Sequence, residues 1–265
     1  MPKLRFMRRG WRRQKPRACF ERVRNMTHHQ IHTAAPKDEA SDVEAFDDER
    51  AFSTRPADGA DNLVLRMMSG ADIDLCNLDP ATIDLNDFAF GVARETRWNG
   101  QTRVMDEDEH AMVVGQHLHI CDLIYGEMFP DAGPAERLSN KVHDAAETLV
   151  KDLCAPVKIW IGPGRYRVLE HTVDRGFRVS IGLGAETPPE WERRRKIVDR
   201  RAAFNEALHF MGWDLDFTIK ECGRHELWMP IFDMGIWTPR QARITFLERV
   251  SELQAQMKDE QSAGF

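Results

Sequence analysis

Apolar side chains recur at helical spacing along most of this 265-residue chain. Leu169, Val173, Phe177 and Ile181 stand four residues apart, so on an α-helix they form one stripe that can face a core. Similar stripes follow three prolines, and proline is favoured in the first turn of a helix. These are Pro134, Pro189 and Pro239. Alternating apolar and polar residues, the signature of a strand, are nearly absent, so the sequence predicts an all-α fold.

Composition narrows the class of protein. Hydrophobic residues make up 42% of the chain, which is enough for a core, and the net charge of -6 gives no reason to expect nucleic-acid binding overall. No stretch approaches the roughly 20 apolar residues of a membrane span. The five cysteines are odd in number and scattered, which indicates reduced thiols of a cytoplasmic protein.

The N-terminal part differs from the rest in charge. Residues 1–26 are strongly basic and residues 27–60 are acidic and poor in apolar side chains, so residues 1–60 are predicted to be a disordered extension. Three interpretations of the basic part are open: an arm that binds nucleic acid or membrane, an organelle-targeting leader, or translated sequence upstream of the true start. We favour a disordered segment without a specific role. A folded domain at 61–258 and a polar tail at 259–265 complete the division.

The stretch around His143 carries the strongest chemical signal. His143 and Asp144 are adjacent, and a neighbouring imidazole and carboxylate suit a divalent metal with nitrogen and oxygen ligands. Glu147 lies four residues after His143 and shares its face if the segment is helical, and Asp152 follows. The alternative is a polar patch on a surface helix.

Three further positions have two interpretations each. Arg97-Trp98 precedes an Asn-Gly turn, and is either a phosphate clamp beside a stacking surface or a surface arginine packed on an indole. His117 is expected to be a hydrogen-bonded core histidine rather than a ligand. Asp199 follows two apolar residues and either faces a polar edge of the core or pairs with Arg195 or Arg200.

These motifs resemble the HD-domain phosphohydrolases, and in particular the branch with bacterial and phage 5′-deoxyribonucleotidases and deoxynucleotide triphosphohydrolases. The likeness covers roughly residues 63–255 in order. Residues 97–102 resemble the branch's "RFNGQT" turn, and residues 143–147 resemble its "HDAAE" motif. Glu109-His110 stands where the branch has "AEH", and Asp199 stands where it has its last aspartate.

The resemblance implies an HD-type helical bundle with a metal site between its helices. It assigns one divalent cation, which is manganese, cobalt, iron, zinc or magnesium, to two imidazoles and two carboxylates. These ligands are His110, His143, Asp144 and Asp199.

The resemblance also implies roles for the neighbouring residues. Glu147 is assigned to proton transfer or to orienting water, and Asp152 to the leaving group or to the sugar 3′-hydroxyl. Arg97 and Lys158 are expected to offset phosphate charge, and Trp98 to stack on the sugar or to crowd out a 2′-hydroxyl.

Three positions depart from the family pattern. Residues 106–109 are all acidic, which places extra negative charge next to His110. Lys151 stands where the family prefers a glycine before Asp152, and Trp98 stands where phenylalanine is commoner.

The predicted function is metal-dependent hydrolysis of a deoxynucleoside mono- or triphosphate. The alternatives are an HD enzyme acting on alarmone or cyclic nucleotides and a nucleotide-binding regulator without catalysis. Thr148 directly after Glu147 argues against alarmone hydrolysis, because those enzymes usually carry an adjacent acidic pair there. The expected partner is a small nucleotide, with no membrane, with nucleic acid disfavoured and with a homodimer as the default assembly.

Overall fold

The computed structural model describes residues 63–162 and 164–263, and this part of the chain is mostly helical, as predicted. The predicted extension at 1–60 lies outside the described residues. The elements are β1 (Val64–Arg66), β2 (Asp72–Asp74), α1 (Leu85–Val92), α2 (Val114–Met128), α3 (Pro134–Lys141), α4 (Glu147–Val150), α5 (Ala155–Ile161), α6 (Arg165–Ser180), α7 (Pro189–His209), α8 (Leu215–Cys222) and α9 (Pro239–Ala263).

The helices begin where local chemistry favours a start. Asp84 caps α1 by accepting a hydrogen bond from the backbone N–H of Asn86 at 2.8 Å. Thr238 and Gln241 form a reciprocal capping box at the start of α9, where the Thr238 hydroxyl accepts from the Gln241 backbone N–H and the Gln241 side-chain Oε1 accepts from the Thr238 backbone N–H. Prolines stand in the first turns of α3 and α7. The helix starts predicted from Pro134, Pro189 and Pro239 are therefore confirmed, because α3, α7 and α9 begin at these residues.

The core forms where the apolar stripes meet. Val173 and Phe177 of α6 are fully buried, and the Phe177 ring stacks on Phe88 of α1 with the ring centroids 4.1 Å apart. Phe246 and Val250 bring the buried face of α9 into the same cluster. Helix α9 packs against α3, α1 and α2, and α2 packs against α7. This arrangement sets α2, α7 and the α3–α4 connection beside one another.

Strands make only a small contribution to the described part. β1 and β2 pair antiparallel with Leu65 opposite Ile73. Helix α9 continues to Ala263, so residues 259–263 are helical rather than a separate tail. None of the helices in the described residues combines the length and the apolar character that crossing a membrane requires.

The segment around His143 differs from the predicted helix. Helix α3 ends at Lys141, residues 142–146 form a turn, and α4 begins at Glu147. The His143 ring contributes to this break, because its Nδ1 lies 2.7 Å from the backbone oxygen of Asn140. His143 and Glu147 therefore do not share one continuous helical face, and Asp144 lies on the turn.

Candidate metal centre

Three parts of the fold converge on a group of imidazoles and carboxylates. His117 comes from α2, His143 and Asp144 from the turn before α4, and Asp199 from α7. His117 Nε2 lies 3.4 Å from Asp144 Oδ2 and 3.3 Å from Asp199 Oδ1. His143 Nε2 lies 3.5 Å from Asp144 Oδ1. We call His117, His143, Asp144 and Asp199 the central cluster.

The spacing inside the central cluster fits ligands around one ion. Metal bonds of about 2.0 to 2.3 Å in tetrahedral array set neighbouring ligand atoms roughly 3.3 to 3.7 Å apart. The nitrogen–oxygen distances of the cluster, 3.3 to 3.5 Å, fall in that range. The cluster therefore has the donor types and the spacing that a divalent cation requires.

The ring of His143 gives independent support for a cation. Its side chain is almost fully buried, and its Nδ1 is engaged by the Asn140 carbonyl. Its Nε2 is buried, has no hydrogen-bond partner within residues 63–162 and 164–263, and faces Asp144. A buried imidazole nitrogen without a partner is costly unless something binds it, and a metal ion supplies that partner.

Glu206 of α7 holds the ring of His117 from behind. Its Oε1 lies 2.7 Å from His117 Nδ1, and its Oε2 accepts a hydrogen bond from Trp98 Nε1 at 3.1 Å. Both Glu206 and His117 are fully buried. A carboxylate on the far nitrogen directs the other nitrogen of a ligating histidine toward its metal, so Glu206 fixes the orientation of His117 and also anchors Trp98.

Electrostatics in the central cluster favour a positive partner. Burial opposes a charged ring on His117, but the surrounding groups, among them Glu206 and Asp144, outweigh it and raise the pKa of His117 well above its usual value. Burial lowers the pKa of His143. The nearby rings of His143 and His117 and the Arg97 guanidinium outweigh burial and hold the pKa of Asp144 well below its usual range. The carboxylates therefore stay ionised and attract a cation.

Arg97 lies where the sequence predicted a cation beside the His-Asp pair. Its Nη1 is 3.4 Å from Asp144 Oδ2 and 3.5 Å from Asp152 Oδ2, and its side chain is largely buried. Its Nε has no hydrogen-bond partner among the described residues. The Nε–H of Arg97 is therefore a buried donor that the described residues leave unsatisfied.

Glu147 and Lys158 form a second acid–base pair near the central cluster. Lys158 Nζ is 3.7 Å from Glu147 Oε1 and 3.1 Å from Glu170 Oε1. Burial, reinforced by the charge of Asp144, raises the pKa of Glu147 to about 10. Its Oε2 is buried and has no partner. A carboxyl with such a raised proton affinity suits proton transfer.

Asp152 follows a strained residue. Lys151 has φ 77° and ψ 148°, a conformation that is essentially restricted to glycine, and glycine is what the resembled family prefers there. Three contacts hold the segment: Lys151 Nζ donates to Glu95, the Tyr166 hydroxyl donates to the Lys151 carbonyl, and the Asp152 N–H donates to Glu95. These contacts keep Asp152 beside Arg97 without a glycine.

His110 is the predicted ligand that the structure does not bring to the central cluster. It lies in the loop before α2, with its Nδ1 2.6 Å from Asp106 Oδ2, in a separate group with Asp108. The physical reason is that its segment is acidic and has few apolar residues to bury, so it remains at the surface. His117 occupies the position predicted for His110.

The sequence pattern around His117 predicts a histidine packed in the core and does not identify it as a metal ligand. His117 stands between Gln116 and Leu118 on a helix whose residues 114–118 are all buried, so its ring had to meet a polar partner inside the protein. The choice between a hydrogen-bonded histidine and a ligand depended on Glu206 and Asp199, which are more than 80 residues away in the chain.

No protein-family model matches the chain. The chain is similar to an uncharacterised protein of Rhodobacter capsulatus, with 33% identity over 148 residues, which is 56% of this chain and 73% of that protein. At this identity and coverage, the chain belongs to the same family as the Rhodobacter capsulatus protein.

Proposed function

We propose that the protein is a metal-dependent phosphohydrolase of the HD-domain type that hydrolyses a phosphate ester of a deoxynucleotide. The observation that carries this proposal is the central cluster, in which two imidazoles and two carboxylates stand at ligand spacing and His143 Nε2 is buried without a partner. The motif resemblance supports the substrate class.

A divalent cation held by His117, His143, Asp144 and Asp199 would lower the pKa of a water molecule and polarise a phosphoryl oxygen. Asp199 lies on the more open side of the cluster, with a side chain that is 36% exposed. Substrate and water can therefore approach from the side of α7, while the buried rings form the floor of the site.

The surrounding side chains are proposed to neutralise phosphate charge, to transfer a proton and to contact the substrate. Arg97 and Lys158 offset the negative charge of the phosphate, and because Arg97 is largely buried, its charge is only weakly screened. Glu147, whose raised pKa keeps it protonated near neutral pH, donates a proton from its carboxyl as the ester oxygen leaves; its Oε2 has no partner among the described residues. Asp152 is placed beside Arg97 to contact the leaving group or the sugar.

Trp98 is the residue proposed to contact the sugar. Its backbone has φ 55°, its indole N–H is held by Glu206, and its ring meets Trp213 edge-on with the centroids 5.4 Å apart. An indole fixed on both sides is a rigid wall. Such a wall can discriminate against an added 2′-hydroxyl by steric contact.

The test is a panel of deoxy- and ribonucleoside mono- and triphosphates, incubated with purified protein and each of manganese, cobalt, zinc and magnesium. We expect release of phosphate, or of a polyphosphate product, from at least one deoxynucleotide. An alarmone and a cyclic nucleotide belong in the same panel. Hydrolysis of these alone would replace the substrate class, and no hydrolysis of any compound would refute the proposal.

The matched control for the panel is the Asp144→Ala variant. It should lose activity and bound metal together, because it removes one ligand of the central cluster. Retained activity in a folded Asp144→Ala protein would remove Asp144 from the metal shell.

A further inference from the structure

A cysteine lies against the central cluster. Cys121 follows His117 by one turn of α2, and its Sγ is 3.5 Å from His117 Nε2 and 3.9 Å from Nδ1. One donor atom from each of His117, Cys121, His143 and Asp199 can be chosen so that all lie within 4.8 Å of one another. Cys121 is therefore within the ligand group rather than merely near it.

The environment of Cys121 distinguishes it from the other described cysteines. Cys121 is fully buried, whereas Cys76, Cys154 and Cys222 are only partly buried and belong to no such ligand group among the described residues. A buried thiol usually acts as a small apolar side chain, and Cys121 does pack in the apolar cluster of α2. Its Sγ nevertheless approaches the nitrogen of His117 that faces Asp144 and Asp199.

A second observation points to a missing ligand at the same place. His143 Nε2 is buried and unpartnered, and it belongs to the same group as Cys121. Cys121 Sγ lies 3.5 Å from His117 Nε2, so the sulfur contacts the ring nitrogen that also faces Asp144 and Asp199.

We propose that Cys121 supplies a soft sulfur ligand to the cation of the central cluster, so that the site prefers a thiophilic metal such as zinc or cobalt over magnesium or manganese. This inference rests on the metal site of the proposed function. Thiolate ligands favour zinc-like ions, and oxygen ligands favour magnesium and manganese. On binding, the sulfur forms a bond to the metal and the thiol proton passes to solvent, without any change in oxidation state.

The experiment adds cobalt(II) to metal-free protein and records absorption spectra of the native chain and of Cys121→Ser, Cys121→Ala and Cys76→Ser. We expect a near-ultraviolet sulfur-to-cobalt charge-transfer band in the native chain and in Cys76→Ser, which serves as the matched control. Both Cys121 variants should lack the band. Circular dichroism checks that each variant is folded. Serine and alanine differ in polarity, so if one of the two Cys121 variants fails to fold, the other still gives a result.

A competition measurement gives a second readout that does not depend on activity. The ratio of zinc affinity to manganese affinity should fall in Cys121→Ser by about tenfold or more, the lower end of what loss of a supporting group costs at metal sites. The same ratio should be unchanged in Cys76→Ser.

The outcomes separate this inference from the proposed function. Cobalt binding with visible-region bands but without the charge-transfer band, or with the band retained in Cys121→Ser, overturns the sulfur ligand and leaves the metal site standing. Absence of cobalt binding in every protein overturns both the sulfur ligand and the metal site.

Discussion

The structure contains two groups of histidine and carboxylate side chains. One includes His117 of α2 and the other lies in the loop before α2, and only the first has the properties of a metal centre. The central cluster is buried around His117, and His143 within it has a buried nitrogen without a partner. In the group of Asp106, Asp108 and His110, only Asp108 is exposed and the other two are half-buried, and its contacts are internal because Asp106 accepts hydrogen bonds from His110. The two groups are similar in composition. They differ in burial and in the unpartnered ring nitrogen of His143.

The cost of burial explains this difference. An exposed carboxylate near an imidazole is hydrated, and its pairing contributes little. Carboxylates and imidazoles that are taken out of water require a compensating partner. The ring of His117 contacts three carboxylates, those of Asp144 and Asp199 in the central cluster and that of Glu206 behind it. The carboxylates of the buried group therefore require a positive partner, either a protonated His117 ring or a bound cation, and the other group has no such requirement.

The largest expected effect comes from exchanging the two histidines for glutamine one at a time. His117→Gln should weaken metal binding by more than the roughly 10–100-fold that loss of a supporting group costs, and should abolish hydrolysis. His110→Gln should leave both unchanged, because His110 is in the exposed loop. Metal content by elemental analysis and activity on the best substrate are the measurements. The opposite ranking of the two variants would return His110 to the metal shell.

The next effect tests the support behind the ring of His117. Glu206→Gln keeps the size of the side chain but removes the charge that orients the ring, so metal affinity should fall by about 10–100-fold. Glu260→Gln, on the exposed end of α9, is the matched control and should have no effect. Calorimetric titration with zinc measures both. Equal affinities for the two variants would reduce Glu206 to a packing role.

A smaller effect is expected from the difference in backbone strain between Lys151 and Glu109. Lys151, beside Asp152, has the near glycine-only conformation, whereas Glu109, in the loop before α2, has φ 60°, which is within the positive φ range that non-glycine residues can adopt. Lys151→Gly should therefore be more stable than Lys151→Ala by about 1 kcal/mol, since strain of about 1–3 kcal/mol exceeds the entropy cost of glycine.

The corresponding glycine and alanine pair at Glu109 should differ by less than the pair at Lys151. Urea unfolding of all four variants gives the free energies. If Lys151→Ala equals or exceeds Lys151→Gly in stability, the strain at Lys151 is not real.

The smallest effect concerns pH in the exposed loop. Hydrogen bonds from the ring and the backbone N–H of His110 lower the pKa of Asp106. A lowered pKa in the folded state gives stability above the ordinary carboxyl pKa of about 3.9, and that stability is lost as the pH falls through the folded-state pKa. Asp106→Asn should thus be slightly less stable than the native chain at pH 7, with a difference that shrinks in acid.

Urea unfolding at several pH values measures this effect, with Asp108→Asn as the matched control, which should be nearly neutral throughout. Metal affinity should not change in either variant. A clear loss of metal affinity in Asp106→Asn would show that the two groups are functionally linked, contrary to the comparison.

Much of the fold was predictable because its causes are local. The stripe from Leu169 to Ile181 predicted α6, and three prolines predicted where α3, α7 and α9 begin. The turn at His143 was not predictable in this way, because its apolar neighbours fit a helical face equally well. It is stabilised by a side-chain contact to the Asn140 carbonyl that competes with the helix.

By itself, the sequence determined the all-α class and the starts of α3, α7 and α9, and its motifs predicted that Arg97, the His143-Asp144 pair and Asp199 would meet. Hydrophobic periodicity and capping are properties of neighbouring residues, so they can be read without the fold. Only the tertiary structure decided that His117, rather than His110, completes the cluster. That choice depends on packing α2 against α7, which brings Glu206 and Asp199 to the ring of His117 and leaves His110 in the exposed loop.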